Sequence, residues 1–227
     1  MRNTFSNLGS VQRPAVWLFA ILLVCLAFAF SHAQSGFDTM DLKALSARAD
    51  QLEARVASNS ADYATLRDLA TVYHFMAVKD SKAYAKKAVQ VLERAYEKRP
   101  EDYEVLCYLG NAYVLLAKDG GDGMNRAANA SKGFGYMDKA VRNAPDDITI
   151  RMTRGISAKS SPRFLGRRPV AYEDFEYLAA LFDKGLKVPE SLKATVYGHL
   201  ADLYKEDGDA VHAQKYAAMA EKAQKGE

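Results

Sequence analysis

Three stretches of the chain repeat one order of residue types, and no other feature restricts the fold as much. Residues 63–100 carry Leu66, Leu69-Ala70, Tyr73, Ala88, Leu92, Ala95 and Pro100. Residues 103–145 carry Leu106, Leu109-Gly110, Tyr113, Ala140 and Pro145. Residues 194–227 carry Tyr197, Leu200-Ala201, Tyr204, Gly208, Ala213 and Ala220. Bulky residues three and four apart share one face of a helix and make that face apolar. Small residues let a second helix come close, so Ala70, Gly110 and Ala201 are expected to face Ala95, Ala140 and Ala220. Pro100 and Pro145 close their units, because the residue before a proline is driven out of helical geometry. One helix pair cannot bury its apolar face alone, so such units must stack.

This order resembles the tetratricopeptide repeat family over about residues 63–227. The resemblance implies an all-α fold: a right-handed α-solenoid of about four helical hairpins, with a concave face that holds peptides or partner domains. The units are 63–102, 103–147, a degenerate 148–193, and 194–227. In the degenerate unit Arg154-Gly155 stands where Leu-Gly would, and Ala158 replaces Tyr. Its second helix is expected over Val170–Lys184, with an apolar stripe of Phe175, Leu178, Ala179 and Phe182. The linker from Ser160 to Pro169 holds two Pro and a Gly, so it is not helical throughout. That linker is similar to one in bacterial periplasmic repeat proteins, including those associated with TRAP-type transporters. The first unit has about six extra residues around Val78–Ser81, and the second about eleven around Lys118–Ala130. Longer helices or a protruding loop would absorb them.

Residues 34–62 read as a linker and a capping helix. In that helix Leu42, Leu45, Ala49, Leu52 and Val56 recur at helical spacing over Met40–Ser58. Residues 1–33 have the layout of a secretory signal peptide. Arg2 and Arg13 precede or open an apolar run from Ala15 to Phe30, and Ser31-His32-Ala33 offers a cleavage triplet before Gln34. Kept, the run would instead be a membrane anchor, though it falls short of the roughly 20 residues that span a bilayer. The expected location is therefore periplasmic or secreted, or the inner membrane with the repeats facing the periplasm. Without residues 1–33 the chain holds 29 Lys and Arg against 28 Asp and Glu, a balance that argues against nucleic acid. Cys107 is then the one thiol, so packing rather than disulfides must hold the fold.

No catalytic, cofactor or metal site is expected. His74, His199 and His212 share no metal-ligand spacing, and no nucleophile elbow or Cys pair occurs. Gly121 to Arg126 imitates a dinucleotide loop without the strand such a loop needs. Asp119 and Asp122 read better as part of a capped loop than as calcium ligands. The favoured function is a non-enzymatic scaffold or adaptor in the bacterial envelope that binds a protein or peptide. A transporter component binding a small solute is second, and an enzyme last. In the family's geometry, groove positions two, five, nine and twelve of the first helices put Arg67, Thr71, His74 and Asn111 among the partner-binding candidates. A basic block adds Arg151, Arg154, Arg163, Arg167 and Arg168, with Phe164 as an apolar anchor. That block would suit an acidic segment or an anionic envelope component, unless its arginines pair with Glu173, Asp174 and Glu176. Charge reversal at Arg163, Arg167 and Arg168 is expected to weaken capture without unfolding.

Overall fold

The computed structural model describes residues 37–59, 62–119 and 123–226; the expected signal peptide and Asp122 lie outside them. Residues 37–40 form a turn and bend. The helices among the described residues are α1 (Leu42–Ser58), α2 (Tyr63–Lys79), α3 (Ser81–Lys98), α4 (Tyr103–Asp119), α5 (Gly123–Asn143), α6 (Ile148–Lys159), α7 (Arg168–Asp183), α8 (Glu190–Glu206) and α9 (Ala210–Lys225). None of them is long and apolar enough to cross a membrane. They form an all-α solenoid in which α2–α3, α4–α5, α6–α7 and α8–α9 are antiparallel hairpins and α1 packs on α2. The first helices α2, α4 and α6 also touch in succession.

Aspartates start most of these helices. Asp62, Asp80, Asp102, Asp147 and Asp209 each accept a hydrogen bond from a backbone N–H two or three residues on, at 3.0–3.1 Å. Such a cap satisfies one of the N–H groups that a first helical turn leaves without a partner. Pro100 and Pro145 fall two residues after the ends of α3 and α5, where the sequence requires a stop.

Helices α4 and α5 meet through small residues, with a change of the expected partner. A Cβ on Gly110 would lie 2.5 Å from the carbonyl oxygen of Gly133, and one on Gly133 would lie 2.5 Å from that of Gly110. Gly110 therefore pairs with Gly133 and not with Ala140, and α4 and α5 approach backbone to backbone. The long spacers become helix: α2 and α3 are separated only by Asp80, and α4 runs to Asp119 before α5 starts at Gly123. The tips of these two hairpins are tied by a hydrogen bond from Ser81 Oγ to Asp119. The degenerate unit is a full hairpin, with α7 starting two residues earlier than expected because Pro169 fits a first helical turn.

One contact recurs along the stack. The tyrosine of a first helix donates its hydroxyl to a glutamate on the preceding second helix: Tyr113 to Glu93, and Tyr204 to Glu176 at 2.5 Å. Tyr73 does the same to Glu53 of α1 at 2.8 Å. So α1 stands to α2 as α3 stands to α4, and is half a hairpin that closes the stack. Leu45, Ala49, Leu52 and Val56 are its buried stripe, as expected.

Candidate functional site

The first-helix face is held together by polar links between successive hairpins. Arg67 on α2 donates to Asp102 at 2.8 Å and to Glu104 on α4 at 2.7 Å, and the Tyr63 hydroxyl donates to Asp102 at 2.8 Å. Asn111 on α4 donates to Ser157 Oγ on α6 at 2.6 Å. Lys159 on α6 donates to Asp202 on α8 at 2.7 Å. His74 stacks on Tyr108 with ring centres 4.0 Å apart. Burial, with no charged neighbour to oppose it, pulls the His74 pKa down to about 3 and keeps the ring neutral. Burial also raises the Glu104 carboxyl against the pull of Arg67. Asp102 is lowered instead: burial opposes its charge, but the Val105 N–H, Arg67 and Tyr63 together outweigh that.

Three polar atoms on this face are buried without a hydrogen-bond partner: His74 Nδ1, Glu104 Oε1 and Asn111 Oδ1. A buried polar atom left unpaired costs about 1–3 kcal/mol. The Thr71 hydroxyl is satisfied by the carbonyl of Arg67 at 3.0 Å. Cys107 is an interior residue whose thiol donates to the Ile150 carbonyl at 3.5 Å, and burial raises its pKa. An open cleft at the hairpin ends has Asp102, Glu104, Asp147 and Ile150 among its walls.

The basic block does not form one cationic surface. Arg151 and Arg154 are buried around Asp174, which is 0% exposed. Arg154 reaches Asp174 at 2.7 and 2.8 Å, Glu173 at 2.7 Å and Asp138 at 3.0 Å. Arg151 reaches Asp174 at 2.9 Å and lies 3.6 Å from the centre of the Tyr177 ring. Burial opposes the Arg154 charge, yet Asp174 and Glu173 outweigh it and raise its pKa. Arg167 grips Asp138 at 2.7 and 3.1 Å and covers the Phe134 ring. Arg163 and Arg168 turn the other way, onto Asp207 at 3.1 and 2.6 Å. Reversing Arg167 or Arg168 would thus also break ion pairs within the chain, to Asp138 and to Asp207 and Glu206. Phe164 alone stands clear, 85% exposed on a single turn of 3-10 helix, Arg163–Leu165.

The structure therefore brings Arg67, Thr71, His74 and Asn111 together on α2 and α4, while the arginines after Ile150 split between two ion-paired clusters. Sequence reasoning named Asp174 only as a pairing partner for the block, and missed Asp138, Tyr108 and Ser157. All four lie far from their partners in sequence or outside the groove positions, so only the packed helices reveal them. Among the described residues no group of His, Cys, Asp and Glu is placed to hold a metal.

A solved structure described as MamA MSR-1 C2 aligns with 79% of this chain and 94% of its own, at 18% identity and a TM-score of 0.46. No curated protein matches the sequence. The family described as plant-specific mitochondrial import receptor subunit TOM20 matches residues 46–165, from α1 to the turn after α6. That span is more than half of the chain, and the protein belongs to this receptor-subunit family.

Proposed function

We propose that the protein is a non-enzymatic scaffold that holds a segment of a partner protein on the face of its first helices. The observation that carries this reading is the unpaired set on α2 and α4: His74 Nδ1, Glu104 Oε1 and Asn111 Oδ1. Glu104 Oε1 and Asn111 Oδ1 accept no hydrogen bond within the chain, although Glu104 Oε2 takes one from Arg67. The N–H groups of a partner segment that opens this face would supply the missing donors. The family supports the same direction, since its description is of an import receptor subunit. We further propose an exported or membrane-tethered location in the envelope, read from Arg2, Arg13 and the apolar run Ala15–Phe30.

The test is positional. Photo-crosslinkers placed singly at the exposed Ala64 on α2 and Thr195 on α8 should trap one and the same partner, and one at Gln90 on α3 should not. Equal trapping from Gln90, or none from the first helices, would overturn the assignment. A mature protein that starts near Gln34 would support export with cleavage, and an intact N-terminus would favour the tether.

A further inference from the structure

We propose that the outer side of α3 and α5 is a docking surface for an anionic lipid bilayer. On α3 Lys82, Lys86, Gln90, Arg94 and Lys98 are exposed and wind obliquely across the outer face, about 40° per step, while Ala85, Ala88, Val89, Val91, Leu92 and Ala95 are buried. At about 1.5 Å per residue the row is about 24 Å long. On α5 the exposed row is Lys132, Gly135, Lys139 and Arg142. The rows lie side by side: Lys139 Nζ is 3.0 Å from the Tyr96 hydroxyl, and Lys132 Nζ is 3.6 Å from Glu93. These two helices hold nine basic residues and three acidic ones, a charge of +6 against +3 for the entire chain. One of the three acids, Asp138, is already held by Arg154 and Arg167. Lys82, Lys86, Arg94 and Arg142 form no ion pair with a described residue.

The chemistry favours a diffuse anionic surface over a shaped partner. Five of the seven exposed cations in the rows are lysines, compact charges that impose no fixed fork on a ligand. Tyr96 and Tyr136 lie half-buried between the rows, with ring centres 6.3 Å apart. Such amphipathic rings favour the headgroup layer of a membrane. The chain also carries the apolar run Ala15–Phe30, which would bring a bilayer within reach if kept. The first-helix face stays open for a partner, so the two proposals do not depend on each other.

The test uses the full chain with vesicles of phosphatidylcholine alone and of phosphatidylcholine mixed with phosphatidylglycerol. Each cation near an anionic leaflet contributes about fivefold in affinity. The wild-type protein should therefore prefer the mixed vesicles at least about tenfold at about 0.1 M salt, and lose the preference near about 1 M. Replacing Lys82, Lys86, Arg94 and Lys98 together by Glu should abolish the preference, with helical content unchanged by circular dichroism. Should that variant not fold, Lys82→Gln, Lys86→Gln and Arg142→Gln together serve as the milder form and should weaken it. All variants keep the apolar run, so its insertion cancels in the comparison. Equal binding of both vesicle types by the wild type, or a preference that survives the substitutions, would overturn the proposal. So would capture of polyglutamate without capture of mixed vesicles, which would assign the rows to an acidic protein.

Discussion

At Asp174 a carboxylate that water does not reach meets two guanidinium groups. Taking charges out of water is costly, and the loss is offset only while every partner is present. Asp174→Asn keeps the volume and removes the compensating charge from Arg151 and Arg154. It should lower unfolding free energy by about 3–5 kcal/mol, read from urea titration. His74 gives the pH counterpart. Its folded pKa, about 3, lies below the ordinary 6.5, so between these values the unfolded chain binds a proton that the folded chain refuses. Stability is intact above pH 6.5 and falls with pH below it, by about 1.4 kcal/mol per unit. His74→Phe, which can still stack on Tyr108, should flatten that slope in urea titrations between these limits. Neither behaviour was legible in the sequence. The sequence offered Arg151 and Arg154 both as a surface patch and as partners of Asp174, and could not decide because Asp174 sits on another helix; His74 read as groove-facing because family positions do not report burial.

Elements were easier to read than side chains. Helix number, the proline stops and the α1 stripe follow from spacing alone, since apolar periodicity is a local property of the chain. The Gly110 contact was half legible: the need for a small residue was plain, its partner was not, because the extra residues just before Gly133 shift the register of α5. Gly110→Ala should destabilise the protein by about 1–3 kcal/mol or more, because the new methyl meets a backbone carbonyl that cannot yield. A thermal melt checks it; an unchanged midpoint would show that α4 and α5 do not approach so closely. The third hairpin shows how a degenerate pattern still makes the same element. Ala158 offers no hydroxyl, and Arg154 instead makes the link to the preceding second helix by donating to Asp138 on α5 at 3.0 Å.

Over the whole molecule, each hairpin leans on its neighbours, so stability should be graded along the stack. One core cluster joins α4, α5 and the start of α6, and another joins the end of α6 to α7, α8 and α9, with Ile150 in the first and Ala158 in the second. The C-terminal helix α9 buries only Ala220 and Ala223 below the surface. Amide hydrogen exchange should therefore be fastest in α9 and slowest in α4 and α5; uniform protection would mean that the stack opens as one body. The repeat architecture was legible throughout because it depends on repetition. The charge rows on α3 and α5 also stood in the sequence at spacings of three and four residues, but the chain's near-neutral total conceals them.

The junction at Asp80 has an evolutionary and practical consequence. This single residue closes α2 through its N–H to Met76 and opens α3 through its carboxylate to Ala83, leaving no slack between the helices. One residue inserted there would rotate α3 by about 100° about its own axis. The alanine stripe would swing toward solvent and lysines toward Leu92's place in the interior. Length changes at this corner are thus forbidden unless they come in whole turns, which makes it the wrong place for a tag or a fusion.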